Sequence, residues 1–131
     1  MTGLDTNVLV RLIVDDDPEQ ADRAEAVIRR TYESGSVCYV NKVVLCELVW
    51  TLAQAYRCEK SEIVDALDSM LCGPQFTFED EFQVERAVTA FQKGAGDFAD
   101  HLIGAANRAA GCERTVTFDR KAARLDDFEA L

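Results

Sequence analysis

Short apolar segments alternate with longer amphipathic ones along the chain, and this alternation limits the fold more than any other feature. The short segments are a first apolar run ending near Asp5, then residues 37–40, 76–78 and 114–118. Strands that alternate with helices predict an α/β fold with a parallel sheet covered on both faces. Ligands of such sheets bind beyond the carboxyl ends of the strands. Asp5 and Asp119 follow two of these strands, so we expect an acidic pocket there.

Capping residues mark the intervening helices. After Asp5 we expect a helical turn, and Asp17-Pro18 is typical of a helix start. Asn41 and Ser61 are predicted N-caps of later helices. The predicted helices cover about residues 18–33, 43–57, 61–72, 80–93 and 97–110. No repeat or linker divides the 131 residues, so we expect a single domain over residues 1–131.

Composition is that of a globular protein, but the charge is unusual. Hydrophobic residues make up 48 % and charged residues 29 %, while the net charge is −10. Taken alone, this charge argues against nucleic acid, because phosphate backbones attract basic surfaces. Acids clustered around divalent cations, or a basic protein partner, would each account for it.

The five cysteines have no CxxC spacing, and the chain has one histidine. Structural zinc usually needs paired Cys or His ligands, so we expect buried free thiols in a reducing compartment. No apolar run reaches the roughly 20 residues that span a bilayer. The segment from Met1 to Asp5 lacks the basic region of a signal peptide. We therefore expect a cytoplasmic protein without a membrane segment.

Glu47 and Asp5 stand among apolar residues. Glu47 interrupts the apolar segment 43–52, which we predict to be a buried helix. A buried carboxylate needs a cation, an ion pair or protonation to compensate its charge. A structural ion pair with arginine is the alternative for Glu47, and a helix N-cap is the alternative for Asp5.

Three further acids follow later in the chain. Asp97 and Asp100 are three residues apart and would share one face of a helix, with Asp97 as the N-cap and Asp100 as the better metal candidate. Asp119 follows a strand and could instead stabilise a turn or cap a short helix at residues 120–124. By alternation, Thr117 points away from Phe118 and could face the same pocket. Carboxylates brought together repel unless a divalent cation neutralises them, and oxygen ligands favour Mg²⁺ or Mn²⁺. Such a site suits phosphate ester hydrolysis.

Four segments resemble, in order, the motifs of PIN-domain ribonucleases, and most closely those of VapC-type toxins. They are Leu4-Asp-Thr-Asn-Val-Leu-Val-Arg11, Cys46-Glu-Leu-Val-Trp50, Asp97-Phe-Ala-Asp-His-Leu-Ile103 and Thr115-Val-Thr-Phe-Asp119. The resemblance covers essentially the whole chain. It implies a three-layer fold with a short parallel sheet, and Mg²⁺-dependent endoribonuclease activity in which Mn²⁺ can substitute.

The resemblance also implies roles for single residues. The catalytic and metal-binding acids would be Asp5, Glu47, Asp100 and Asp119, with Asp97, Thr6, Asn7 and Thr117 as accessory residues. Asp119 would act through a metal-bound water or a second cation, and the products would carry a 5′-phosphate and a 3′-hydroxyl. We assign His101 no catalytic role, because a lone histidine beside an acid is usually a hydrogen-bonded neighbour.

Members of this family are commonly homodimers and are inhibited by a small antitoxin, so the resemblance implies both partners besides RNA. Positive charge for RNA could come from a set of cations near the motifs: Arg11, Lys42, Arg57, Lys60, Lys93, Arg120 and Lys121. One rival is an aspartate-dependent phosphatase or phosphoacceptor, but Asn7 stands where such hydrolases carry a second aspartate. The other rival is a non-catalytic acidic binding module.

Overall fold

The computed structural model describes all residues from 1 to 131, and they divide into two compact units, Met1–Glu79 and Asp80–Leu131. The expectation of a single domain over residues 1–131 stays a prediction. The first unit contains three strands and four helices: β1 (Thr2–Gly3), α1 (Thr6–Ile13), α2 (Pro18–Glu33), β2 (Cys38–Val40), α3 (Lys42–Gln54), α4 (Lys60–Cys72) and β3 (Phe76–Phe78).

The three strands of the first unit form a parallel sheet in the order β1-β2-β3. Thr2 lies opposite Cys38, which lies opposite Phe76 on the other side. The carboxyl ends therefore meet at one edge, where polar side chains follow each strand. The core of this unit is built from aliphatic side chains of the helices and of β2, among them Leu9, Val40, Leu45, Leu48, Leu52, Val64 and Leu67.

The second unit contains two helices, two strands and a short 3₁₀ turn: α5 (Glu81–Lys93), α6 (Phe98–Ala109), β4 (Thr115–Thr117), the turn Ala122–Arg124 and β5 (Phe128–Ala130). β4 and β5 pair in parallel. The Phe91 and Phe98 rings meet edge to face, with centroids 5.9 Å apart. α6 carries Gly104 where a Cβ would lie 3.0 Å from a ring carbon of Phe128, so a larger residue there would require the Phe128 ring to shift.

The predicted α/β class is confirmed, with short parallel strands and intervening helices. Asp17 caps α2 by accepting a hydrogen bond from the Gln20 N–H at 3.0 Å. Asn41 caps α3 by accepting one from the Val44 N–H at 2.9 Å. Both predicted caps are therefore correct.

Several boundaries differ from prediction. The cap of α4 is Glu59 rather than Ser61, and its N–H is satisfied by the Glu62 side chain at 3.1 Å. α3 ends at Gln54 rather than near Arg57, which adopts a left-handed backbone with φ 53° that a helix cannot continue through. The expected turn after Asp5 is a full helix, α1, and β5 was not predicted.

All five cysteines are free thiols. The expectation that they are buried is wrong for Cys72 and Cys112, which are exposed, whereas Cys38 is fully buried in β2. None of the helices combines the length and the apolar character that crossing a bilayer requires.

Candidate functional site

Asp5 lies just beyond β1 and occupies the N-cap position of α1, with extended backbone angles of φ −85° and ψ 159°. Its side chain is exposed and makes no capping hydrogen bond to the helix. Asp5 therefore occupies the N-cap position, as the alternative expected, but its side chain does not cap the helix. Both carboxylate oxygens remain available, close to the helix end whose dipole favours negative charge.

Glu47 is joined to the start of α1 by a side-chain hydrogen bond. The buried Thr6 hydroxyl donates to Glu47 Oε2 at 2.6 Å, so Glu47 lies against the helical turn that Asp5 begins. Glu47 therefore has a hydroxyl as its partner and does not form the structural ion pair with arginine that was the alternative. Asn7, the next residue of α1, is exposed.

The expectation that Glu47 is buried is wrong. Its side chain is exposed on the solvent side of α3, as are Val43 at 70 % and Trp50 at 66 %. The buried side of the same helix consists of Val44, Leu45, Leu48, Val49 and Leu52. Because apolar residues cover both sides of α3, the sequence resembles a fully buried helix although one side faces solvent.

In the second unit, Asp97 and Asp100 lie at the start of α6. Asp97 is the N-cap residue, as expected, and its backbone N–H donates to Asp100 Oδ2 at 3.1 Å. Asp100 is half-buried in the first turn. One of its oxygens is thus held by the backbone, which fixes the carboxylate and leaves Oδ1 for another ligand.

Asp119 follows β4 and fixes the turn that comes after it. Its Oδ1 accepts hydrogen bonds from the Lys121 N–H at 2.7 Å and the Ala122 N–H at 3.3 Å, while its own N–H donates to Thr117 Oγ1 at 3.0 Å. Asp119 therefore stabilises a turn through its side chain, while Lys121 occupies the N-cap position of the short 3₁₀ helix. The side chain is exposed, and Oδ2 is not used by these bonds.

Two other polar residues have local roles. His101 Nε2 lies 3.1 Å from the Ala95 carbonyl oxygen, a contact that fits the expectation of a hydrogen-bonded histidine with no assigned catalytic role. Glu79 follows β3 and was missed by sequence reasoning, although an acid directly after a strand could have been noticed. Its Oε2 accepts from the Lys42 N–H at 2.8 Å, so it helps to satisfy the first turn of α3.

Arg11, one of the cations expected to meet RNA, is held by its neighbours. It donates to Asp16 Oδ1 at 2.9 Å, to the Tyr56 hydroxyl at 3.1 Å and to Gln20 Oε1 at 2.6 Å. The hydrogen bond to Tyr56, with the Asp16 carboxylate, raises the pKa of the Arg11 guanidinium. Arg11 therefore keeps its charge but is committed to this network.

The donor atoms are of the kind that a hard divalent cation prefers, since all are carboxylate oxygens. Asp5 and Glu47 offer carboxylate oxygens at the solvent surface of the first unit, and Asp100 and Asp119 each keep one oxygen outside their backbone bonds. Mg²⁺ is typically held by one or two carboxylates with water completing its shell. Within each unit, no three His, Cys, Asp or Glu side chains form a cluster with metal-ligand geometry.

These observations describe an α/β protein with exposed carboxylates just beyond two of its strands, at Asp5 and Asp119. Comparison with known families identifies the class of protein. The chain belongs to the PIN-domain family, whose model matches residues 4–128. Among curated proteins it is similar to a VapC ribonuclease of Aquifex aeolicus (strain VF5), with 26 % identity over 125 residues. That match covers 95 % of this chain and 92 % of the relative. The family expected from the motifs is thereby confirmed.

Proposed function

We propose that this chain is a Mg²⁺- or Mn²⁺-dependent endoribonuclease, the toxin of a toxin–antitoxin pair. It would hydrolyse RNA phosphodiester bonds to 5′-phosphate and 3′-hydroxyl products. Membership of the PIN-domain family and the similarity to a VapC ribonuclease support this proposal. The observation that carries it is the free carboxylate of Asp5, next in the chain to Thr6, whose hydroxyl holds Glu47 in place.

The proposal assigns Asp5, Glu47 and Asp100 as the main metal ligands, and Asp119 as an acid that acts through bound water or a second cation. When bound, the cation would polarise a water and offset charge on the phosphodiester. Thr6 fixes the orientation of Glu47 through its hydroxyl. The Asp97 N–H does the same for Asp100, and hydrogen bonds of this kind typically tune the ligands they orient.

The experiment is cleavage of a mixed cellular RNA preparation with and without metal. We expect cleavage with Mg²⁺ or Mn²⁺, none in chelator, and none for Asp5→Asn, whose side chain keeps its size but loses the charge. The ends are then tested with an enzyme that ligates only 5′-phosphates. Cleavage that persists in chelator would overturn the metal assignment.

The same experiment separates the rivals. A phosphatase or phosphoacceptor would release phosphate from a small phosphomonoester, or take up a stable phosphate, and would leave RNA intact. A non-catalytic acidic module would bind Mg²⁺, as titration calorimetry would show, but would cleave nothing.

We also propose a cognate antitoxin as a partner. Its support is the net charge of −10, which favours association with a basic segment. The test is to look for a short reading frame beside the gene and to co-express its product, which should give a complex that elutes as one species and lacks ribonuclease activity. Because the proposed substrate is RNA, we keep the expectation of a cytoplasmic location.

A homodimer is proposed from the solvent side of α3, where Val43 and Trp50 are exposed apolar side chains. A second copy packed against this side would bury both of them beside Glu47. Sedimentation should give a dimer mass for the wild type and a monomer for Trp50→Lys. A Phe82→Lys variant is the matched control, since Phe82 is an equally exposed aromatic residue on α5.

A further inference from the structure

A groove between α1 and α2 concentrates positive charge in a strongly acidic protein. It has a volume of about 490 Å³ and lies entirely within the first unit. Asn7 and Arg11 of α1 line one side, and Arg23 and Arg30 of α2 line the other. The acids of α2 are not among its lining residues: Glu19, Asp22, Glu25 and Glu33.

In two of the three arginines the terminal guanidinium nitrogens have no partner in the protein. Arg23 is exposed and has no hydrogen-bond or ion-pair partner. Arg30 uses only Nε, which donates to the Ala26 carbonyl at 3.2 Å, so its terminal nitrogens are open. Arg11, by contrast, is paired with Asp16 at 2.9 Å. The uncompensated charge of the groove therefore comes from Arg23 and Arg30.

The lining also includes the apolar side chains of Val8 on α1 and of Ala24 and Val27 on α2, together with the polar side chain of Gln20. A cleft with one sign of charge and low-dielectric walls focuses its field on a ligand. Guanidinium groups bind phosphate oxygens in a bidentate manner, which lysine cannot do. These are the features of a site for phosphate groups.

The groove begins near the proposed catalytic residue Asp5, although Asp5 itself does not line it. Asn7 is the second residue of α1, and Asp5 is its N-cap. From Asn7 to Arg11 the groove follows α1 for about 6 Å, while Arg23 and Arg30 are about 10 Å apart along α2. That separation is several times the rise per nucleotide of about 3.4 Å, so the two arginines would meet different phosphates.

We propose that Arg23 and Arg30 bind the phosphate backbone of the RNA strand that extends from the scissile bond, which rests on the proposed ribonuclease function. This groove supplies the local positive charge that a chain of net charge −10 needs to hold a polyanion. Neither arginine belongs to a sequence motif that suggested RNA contact. Their shared position depends on the packing of α1 against α2.

The test is binding of a fluorescent single-stranded RNA of about 15 nucleotides in chelator, over a range of salt concentrations. In the Arg23→Gln/Arg30→Gln double variant we expect at least tenfold weaker binding and a salt slope smaller in magnitude by about 1.4, at about 0.7 per lost phosphate contact. The matched control is Arg29→Gln, because Arg29 is exposed on the same helix but does not line this groove. Equal thermal melting of the two variants shows that folding is intact.

A second readout separates this proposal from the ribonuclease proposal. With Mg²⁺, the double variant should show a raised KM and a nearly unchanged kcat. If the wild type binds RNA through these arginines but cleaves nothing, the groove stands and the ribonuclease proposal fails. If the double variant binds RNA with the affinity and salt slope of Arg29→Gln, the groove proposal is overturned. The groove proposal is also overturned if the double variant keeps its RNA binding and loses only the binding of an acidic protein partner.

Discussion

The candidate acids of Met1–Glu79 are held differently from those of Asp80–Leu131. Asp5 makes no capping bond, and Glu47 is oriented by one side-chain hydroxyl. In the second unit, Asp100 accepts from a backbone N–H and Asp119 accepts from two. Asp5 of the first unit can therefore be replaced at little structural cost, whereas the acids of the second unit also stabilise the ends of local structure.

The largest expected effect comes from comparing Asp5→Ala with Asp100→Ala. Each should lower RNA cleavage at least about 100-fold, which is about 2.7 kcal/mol of transition-state stabilisation. Asp5→Ala should leave the free energy of unfolding within about 0.5 kcal/mol of the wild type. Asp100→Ala should lower it by about 1 kcal/mol, because the Asp97 N–H loses its acceptor.

Urea unfolding and initial cleavage rates measure the two quantities on the same samples. Asp65→Ala is a suitable control, since Asp65 is an exposed acid of α4 outside the candidate set. If Asp5→Ala and Asp100→Ala lost equal amounts of stability, the acids of the two units would not differ in their structural roles.

Removing the Thr6 hydroxyl should have the next largest effect. Thr6→Val keeps the shape of a side chain that is 7 % exposed but cannot donate to Glu47. Loss of such an orienting partner typically costs about 10- to 100-fold in metal affinity or activity. The metal concentration for half-maximal cleavage should rise, while Thr6→Ser, which keeps the hydroxyl, should recover most of the activity. No rescue by serine would mean that the hydrogen bond is not what positions Glu47.

Asp119 allows its two roles to be separated by chemistry. Asn can accept the Lys121 and Ala122 hydrogen bonds through its amide oxygen, but it carries no charge. Asp119→Asn should therefore keep wild-type stability and lose about tenfold in activity, whereas Asp119→Ala should also lose about 1 kcal/mol of stability. Thermal melting beside cleavage assays checks both. Full activity in Asp119→Asn would leave Asp119 with a purely structural role.

Much of the fold was accessible from the sequence because its signals are local. Asp17 and Asn41 cap helices with their own side chains, and the ends of β1 and β4 are marked by the acids that follow them. β5 was not predicted because Phe128–Ala130 is only three residues long and has no β-branched residue. It forms through pairing with β4, which is not a local property.

The candidate site was harder to predict from the sequence where it depends on which side of a helix packs against the rest of the protein. The exposure of Glu47 could not be read from α3, since Val43 and Trp50 are apolar yet face solvent. Arg23 and Arg30 are seven residues apart in a helix rich in charges, and only the groove beside α1 distinguishes them from Arg29. Periodicity places residues on a side of a helix but does not say what packs there.

The smallest expected effect concerns thiol reactivity, and it contrasts Cys46 of α3 with Cys112 of the second unit. Burial raises the pKa of the Cys46 thiol, whereas Cys112 is exposed. The thiolate is the reactive form, so a raised pKa leaves less of it at a given pH and slows alkylation. At pH 7.5, iodoacetamide should label Cys112 several-fold faster than Cys46, and raising the pH to 9 should narrow the difference. Mass spectrometry of the peptides over time measures both rates, and urea-unfolded protein, in which the two rates should converge, is the control. Because Cys46 precedes Glu47, equal labelling of both thiols in the folded protein at pH 7.5 would show that α3 does not shield this part of its surface.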